Sequence, residues 1–236
     1  RIADIAIDSN NENVWYVAVG SGGVWKTKNA GTTWMPLTDN MPFYSTGSIT
    51  IDPNDSSRIW VGTGENVAGR HVGIGHGIYL SKDSGSTWDD MGLKKSEHIS
   101  KIIVHPDNSN IIWVASQGPL WNSGGDRGLF MSTDGGNSWS NKLYVNEWTG
   151  VTDIIIDPTN PDILYAATWQ RHRNVASLID GGPGTSIYKS IDGGNTWNEI
   201  DSGLPSSNMG KIGLAISPMK PEVIYAAIEL DRRSGA

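Results

Sequence analysis

One eight-residue pattern recurs four times along this chain and constrains its fold more than any other feature. It reads Ser-x-Asp-x-Gly-x-Ser/Thr-Trp at residues 81–88, 132–139 and 190–197. A variant with Thr at the first position and Asn at the third occupies residues 27–34. The Trp residues that end successive copies lie 54, 51 and 58 positions apart. Self-similarity at a period near 50 residues indicates a repeat architecture.

A second pattern repeats in phase with the first. A short apolar strand, a turn that contains Asp, Asn or Pro, and another apolar strand precede each copy of the motif, as in residues 99–116. A further strand enters the motif and another leaves it, so each unit holds four short strands. No segment has the sustained 3.6-residue period of a helix. Units of this kind predict an all-β chain, a β-propeller built from four-stranded antiparallel blades.

The repeat also sets the expected blade boundaries within a single domain of residues 1–236. Four blades and an incomplete fifth are expected, at residues 1–38, 47–94, 99–145, 151–201 and 211–236. About four and a half blades are awkward for closing a ring, and an open propeller leaves unpaired edges. We therefore expect a fragment of a larger propeller, in which further blades of the same chain or a second copy cover the open edge.

Composition excludes several classes of function. The net charge of −7 argues against a nucleic-acid partner, which normally requires a basic surface. The sequence has no Cys, and no apolar stretch approaches the length of a membrane span. His71 and His76 lie five positions apart without a carboxylate at ligand spacing, so no metal site is expected. No motif indicates a cofactor.

The recurring motif itself is interpreted as structural. In a tight hairpin, an Asp, Asn or Ser side chain accepts hydrogen bonds from nearby backbone N–H groups, and Gly supplies a positive φ angle. The Trp is expected to begin the fourth strand and to pack beneath the turn. The residues assigned to this structural role are Asn29, Trp34, Asp83, Trp88, Asp134, Trp139, Asp192 and Trp197.

These motifs resemble the Asp-box, or BNR, repeat, which occurs in sialidases, xyloglucan-active glycosidases and sortilin-like propellers. Segments 22–27, 61–66 and 181–184 are similar to a large bacterial group of sortilin-like or BNR-repeat glycosyl hydrolase proteins. The resemblance covers essentially the whole chain. It implies a bacterial protein that is secreted, periplasmic or at the cell surface, with more blades beyond Ala236. The Phe-Arg-Ile-Pro motif of sialidases is absent, so we do not expect this chain to be a sialidase.

The strand order separates two faces. The Asp boxes and the turns between strands one and two fall on one face, and the loops between strands two and three fall on the other with the blade-connecting loops. Propellers usually bind ligands on the second face, because its loops vary without disturbing the blades. The ligand-binding candidates on these loops are Asn66, Arg70, His71, His76, His98, Trp121, Arg127, Trp148, Trp169, Arg171 and His172.

Exposed Trp beside Arg, His and carboxylates suits a sugar or a peptide. The opposing interpretation is that these side chains only hold long loops in place, with Arg127 pairing with Asp126 and Trp169 capping a blade. A glycosidase needs two carboxylates roughly 5–9.5 Å apart. The loop carboxylates that could serve are Glu65, Asp126, Glu147 and Asp180. Glu65 is the first choice among them because it ends a strand.

Three functions remain open at this point. The first is a secreted propeller that binds a glycan or a peptide on the loop-bearing face. The alternative is a glycoside hydrolase that uses loop carboxylates, and a second alternative is a scaffold that docks another protein. The separation of the carboxylates distinguishes the first two. A glycan and peptide array distinguishes binding of a small ligand from a scaffold.

Overall fold

The computed structural model describes residues 1–69 and 71–230, and in this part of the chain nearly all regular structure is β. A single 3₁₀ turn, Lys94–Ser96, interrupts the strands. The strands of the first two sheets are β1 Ile2–Ile7, β2 Trp15–Val19, β3 Gly23–Thr27, β4 Met35–Pro36, β5 Thr46–Asp52, β6 Asp55–Thr63, β7 Ile78–Ser81 and β8 Asp89–Asp90. The later strands are β9 Ile99–His105, β10 Asn108–Ser116, β11 Gly128–Ser132, β12 Ser140–Leu143, β13 Thr149–Ile156, β14 Leu164–Gln170, β15 His172–Arg173, β16 Leu178–Ile179, β17 Ile187–Ser190, β18 Asn198–Glu199, β19 Met209–Ser217 and β20 Lys220–Leu230.

These strands form four sheets of four antiparallel strands each, β1–β4, β5–β8, β9–β12 and β13, β14, β17, β18. A two-stranded sheet, β19–β20, follows them, and β15–β16 form a small hairpin in the loop between β14 and β17. The all-β architecture and the four-stranded antiparallel sheets of a propeller are therefore confirmed. No helix in the described ranges has the length and apolar character needed to cross a bilayer.

Backbone contacts divide the chain into two compact units. The first unit comprises Arg1–Val114 with Ser132–Trp139, and the second comprises Ala115–Met131 with Ser140–Ala236. Within the first unit, the core includes Tyr16, Ala18 and Val24 packed against Ile49 and Val61. Burial of such β-branched and aromatic side chains supplies the main driving force for folding. Within the second unit, a smaller cluster joins Ala167, Ile187, Met209 and Ile212.

The Asp boxes are closed by a recurring set of hydrogen bonds. At Asp83, one carboxylate oxygen accepts the backbone N–H of Thr87 at 2.8 Å and the other accepts the Thr87 hydroxyl at 2.6 Å. The Ser81 hydroxyl donates to Asp83 and accepts the backbone N–H of Gly85. Asn29 accepts the corresponding backbone N–H, from Thr33, at 2.9 Å. The side chain thus caps the turn in both the acidic and the neutral form.

The Trp of the box connects two sheets. The fourth strand begins one residue after Trp88 and Trp139, not at the Trp as expected, and both indoles donate hydrogen bonds to carbonyls just beyond the preceding sheet. Trp139 Nε1 donates to the carbonyl of Met91 at 2.7 Å, and its ring meets Trp60 edge-on at 6.4 Å between centroids. Trp34 and Trp197 keep more local positions: Trp34 is partly exposed and Trp197 bonds to the carbonyl of Gly194.

Candidate functional site

Three loop segments of the second unit are joined by hydrogen bonds, and one buried guanidinium connects two of them. We call residues 117–127, 144–148 and 170–184 of this unit the loop face. Arg127 is buried, and its guanidinium donates hydrogen bonds to backbone carbonyls. Its carbonyl acceptors, at 2.5–3.3 Å, are Gln117, Pro119, Asn122, Gly124 and Trp148. The guanidinium therefore fixes the first two segments to each other.

Aromatic side chains cluster on this framework. Trp148 and His172 have ring centroids 4.0 Å apart, and both are partly exposed. Trp121 is 44% exposed, and the Arg173 guanidinium lies 5.9 Å from its ring centroid. The backbone N–H of Arg171, the residue before His172, donates to the Trp148 carbonyl at 3.2 Å. We call Trp121, Trp148 and His172 the aromatic platform, a surface on which a sugar ring could stack its C–H face.

Trp169 lies near His172 in the sequence, but its side chain is not on the surface. It is 1% exposed, so the expectation of an exposed ring is wrong for this side chain. The Arg171 guanidinium lies 4.8 Å from the Trp169 ring centroid, and the Lys211 ammonium lies 5.4 Å from it. Arg171 is also fully buried. Two cations over one indole gain cation–π stabilisation that partly offsets their desolvation.

Asp180 lies against this cationic cluster. The Trp169 Nε1 donates to its backbone carbonyl at 3.4 Å, and its carboxylate Oδ1 is buried with no hydrogen-bond donor among the described residues. Burial raises the pKa of Asp180, and the nearby Glu229 carboxylate raises it further. The positive charges of Arg171, Lys211 and Arg173 oppose these effects. The carboxyl group is thereby shifted toward its protonated form.

A cavity of about 470 Å³ opens beside the carboxyl group. It brings Asp180 together with Glu229, a residue of β20 that the sequence analysis did not select. The complete lining is Leu178, Ile179, Asp180, Gly181, Asn208, Met209, Gly210, Glu229 and Leu230. Gly210 is needed here, because an added Cβ would lie 2.8 Å from the Asp180 carbonyl oxygen and 3.1 Å from Glu229. The backbone at Gly210 thus lies close to both the main chain of Asp180 and the side chain of Glu229.

Lys211 is the second cation beside the Trp169 ring. Burial lowers its pKa to about 8, and the positive charge of Arg171 contributes to the lowering. The carboxylates of Asp153, Asp180 and Glu229 counteract part of this effect. The cluster therefore places an acid with a raised pKa, a second carboxylate and a cation with a lowered pKa in one region. Such perturbed groups in a cleft are typical of functional sites.

The carboxylate favoured from sequence, Glu65, has a structural position in the first unit. It is buried, its Oε1 accepts Arg1 Nη2 at 2.8 Å, and its Oε2 accepts the Gly73 N–H at 2.8 Å. Both oxygens are thus used to fix a loop and the first residue of the chain. Asp126 is partly buried and Glu147 is exposed, and neither lines the cavity beside Asp180.

The remaining candidates of the first unit do not converge on one described feature. Asn66 Nδ2 donates to the carbonyl of Ser100 at 3.4 Å, and His98 is buried. His71 and His76 are exposed, and Arg70 lies outside the described residues. Within the described ranges, no three His, Asp or Glu side chains come together as a metal-binding group.

The chain matches one family model and is similar to several curated proteins. The family model Sortilin-Vps10, described as sortilin, neurotensin receptor 3, matches residues 22–150 and 76–211. Among curated proteins, the chain is 22% identical over 219 residues to an oligoxyloglucan-reducing end-specific xyloglucanase of Emericella nidulans, covering 84% of this chain and 24% of that protein. It is 25% identical over 221 residues to the xyloglucanase Xgh74A of Acetivibrio thermocellus, covering 83% of this chain and 25% of that protein.

Solved structures share the fold. An ancestral GH74 enzyme superimposes with a TM-score of 0.74 at 22% identity, covering 98% of this chain and 28% of that one. A GH74 enzyme of Niastella koreensis gives a TM-score of 0.61 at 23% identity, covering 83% of this chain and 28% of that one. This chain thus spans about a quarter of the length of these four relatives.

Proposed function

This chain belongs to the Sortilin-Vps10 family, and from that premise we propose that its loop face binds a glycan and that Asp180 and Glu229 hydrolyse it. The observation that carries the proposal is the carboxylate pair in one cavity, with Asp180 shifted toward the protonated form. Glycoside hydrolysis requires one carboxylic acid to protonate the leaving oxygen, and a second carboxylate as base or nucleophile. Burial gives Asp180 the first role, which leaves Glu229 the second.

Xyloglucan is the proposed substrate class, because curated relatives over this region are xyloglucanases. The aromatic platform supports that choice. Its rings present flat apolar surfaces beside Arg173, and flat rings suit the C–H faces of a glucan backbone while cations suit hydroxyl groups. We infer that the platform holds the polysaccharide and the cavity cleaves it. We also infer secretion or surface display, which fractionation of the source cells would test.

The direct experiment is a reducing-end assay on xyloglucan with the purified chain and three variants. Asp180→Asn and Glu229→Gln keep the size of each side chain while removing the acid or base. Each is expected to lower the rate at least about 100-fold, within the range that acid–base groups contribute. Asp126→Asn is the matched control, because Asp126 belongs to the same loop face but not to the cavity lining. Its rate is expected to stay within about twofold of the parent.

Full activity of Asp180→Asn, with the parent active, would overturn the assignment of the carboxylate pair.

A second candidate function is binding without hydrolysis. The partly exposed Trp121 and the Trp148–His172 stack favour it, since they need no carboxylate to hold a sugar. A parent chain that binds xyloglucan and releases no reducing ends would establish that function. If the chain binds nothing on a glycan and peptide array, a scaffold that docks another protein is the remaining function.

A further inference from the structure

Lys211 occupies a position that other sheets of this chain fill with an uncharged, buried side chain. It lies seven residues before Pro218, which belongs to the turn between β19 and β20. The residues seven positions before the corresponding Pro53, Pro106 and Pro158 are Thr46, Ile99 and Val151. All three are at most 1% exposed. A partly buried cation at the equivalent position loses hydration that an apolar side chain would not lose, which indicates a role beyond packing.

A β-bulge brings Lys211 opposite Glu229. The register of β19 with β20 shifts between Met209 and Ile212. Two residues of β19, Gly210 and Lys211, therefore lie opposite Glu229 alone. Bulges of this kind redirect side chains and are common next to active sites. The bulge thus places Lys211 beside a carboxylate of the cavity lining.

Ionisable groups of both signs face the Lys211 ammonium. They are the guanidinium of Arg171 and the carboxylates of Asp153, Asp180 and Glu229. The ammonium lies 5.4 Å from the centroid of the Trp169 ring, and this cation–π contact helps to keep it among them.

Asp153 has a structural use. Its Oδ1 accepts the backbone N–H of Ile154 at 2.9 Å, and its Oδ2 accepts the backbone N–H of Leu214 at 2.8 Å. Asp153 therefore joins β13 to β19. Of the carboxylates near Lys211, Asp180 and Glu229 are the two that line the cavity.

We propose that Lys211 is a positioning residue that holds the Glu229 carboxylate toward Asp180 during hydrolysis. This inference rests on the proposed function, in which Glu229 is the base or nucleophile. The ammonium attracts the negative carboxylate and restricts its side chain, and a base held in the reactive geometry accelerates the reaction more than a mobile one. The same positive charge opposes the protonation of Asp180.

Lys211→Met tests the role of the ammonium with xyloglucan as the substrate. We expect kcat to fall about 10- to 100-fold and KM to stay within about twofold of the parent. Lys211→Arg keeps a cation at this position and should be faster than Lys211→Met. Lys211→Met should also unfold at the same temperature as the parent or a higher one, because replacing a buried ion by an apolar side chain is often neutral or stabilising. A role in packing alone predicts a lower unfolding temperature instead.

The pH profile distinguishes an effect of charge from a change of packing. Hydrolysis requires protonated Asp180, so the rate falls as pH rises through the pKa of this group. Because Lys211 opposes the raised pKa of Asp180, Lys211→Met should move this alkaline limb to higher pH. Lys189→Met is the matched control, because the Lys189 ammonium lies 5.3 Å from the Tyr165 ring centroid in the same unit and Lys189 does not line the cavity. It should keep the kcat and the pH profile of the parent.

The outcomes separate the role of Lys211 from the proposed hydrolysis. If the parent is active and Lys211→Met keeps its full kcat, or its alkaline limb does not move, the role of Lys211 is overturned and the carboxylate pair stands. A rate that falls only in proportion to the folded fraction would overturn it as well. A parent without activity removes the proposed hydrolysis, and the role of Lys211 falls with it.

Discussion

The indole Nε1 of Trp169 donates a hydrogen bond to the backbone carbonyl of Asp180 at 3.4 Å. This bond ties the loop that carries Asp180 to β14, a buried strand of the second unit. The same indole lies beneath Arg171 and Lys211, so one ring organises both the acid and the cations near it. The position of the carboxyl group thus depends on a rigid strand rather than on the loop alone.

The raised pKa of Asp180 predicts a pH dependence of stability. An acid with a higher pKa in the folded state than in the unfolded state binds more protons when folded. Stability therefore falls as pH rises from the ordinary Asp range through the raised pKa. Asp180→Asn cannot ionise, so it should unfold at a higher temperature than the parent above this window and at a similar temperature below it.

Thermal unfolding of both proteins from pH 3 to pH 8 measures the difference. The Asp126→Asn variant should track the parent throughout. A constant offset between Asp180→Asn and the parent at every pH would contradict a raised pKa at this residue.

Removal of the Arg127 guanidinium should destabilise the loop face. Arg127→Ala leaves several carbonyls without their donor, and an unsatisfied buried group costs about 1–3 kcal/mol. We expect a total loss of about 2–5 kcal/mol in the free energy of unfolding, measured by urea denaturation. Lys82→Ala removes an exposed cation that pairs with Asp89 at 3.0 Å, and it should cost less than about 1 kcal/mol. Equal effects of the two substitutions would show that the carbonyl contacts contribute little.

Gly136 tests the packing of an Asp box against a neighbouring sheet. Its φ is +89°, and an added Cβ would lie 2.6 Å from the Trp60 ring, too close for either group. Gly136→Ala should lower the free energy of unfolding by about 2–4 kcal/mol through backbone strain and overpacking together. Gly124→Ala is the control, because φ is +71° and nothing lies within 4 Å, so only strain of about 1 kcal/mol is expected. Equal losses would exclude the ring contact as a cause.

The Asp boxes should contribute to acid sensitivity. Hydrogen bonds from Ser138 and Ser132 lower the pKa of Asp134 from its ordinary value of 3.8 to about 2. An acid with a lowered pKa stabilises the fold above its unfolded pKa, and this contribution is lost as pH falls from about 4 to about 2. Asp134→Asn should retain the acceptor, as Asn29 does, while flattening the stability change over that window.

The measurement is the unfolding midpoint of Asp134→Asn between pH 2 and pH 6. Asp134→Ala provides the comparison, since it loses the acceptor as well as the charge and should unfold at a lower temperature at every pH. An unchanged acid transition in Asp134→Asn would contradict the lowered pKa.

Sequence predicted the sheets well because their signals are local. The Asp box and the alternating apolar residues define turns and strands within about ten positions. The candidate site depended on contacts that no local pattern encodes. Glu65 meets Arg1 across 64 positions, so its structural role was invisible. Glu229 lies near Asp180 only because β20 returns beside that loop. Glu229 belongs to a strand, so a search for loop carboxylates could not select it.

The sequence also did not predict which side chains of the candidate site are buried. Trp169 and Arg171 alternate with the partly exposed Gln170 and His172, yet both are buried. Asp180 was selected as a loop carboxylate, whereas its raised pKa follows from burial that only the packed structure reveals.

The central claim is that the loop face around Trp148 and Asp180 recognises a glycan. Isothermal titration with a xyloglucan oligosaccharide tests it, with Trp148→Ala compared with Trp34→Ala, a partly exposed Trp of the first unit. We predict that the parent and Trp34→Ala bind equally and that Trp148→Ala binds at least about tenfold more weakly, a difference of about 1.4 kcal/mol. A parent that does not bind, or a folded Trp148→Ala variant that binds as the parent does, would contradict the claim.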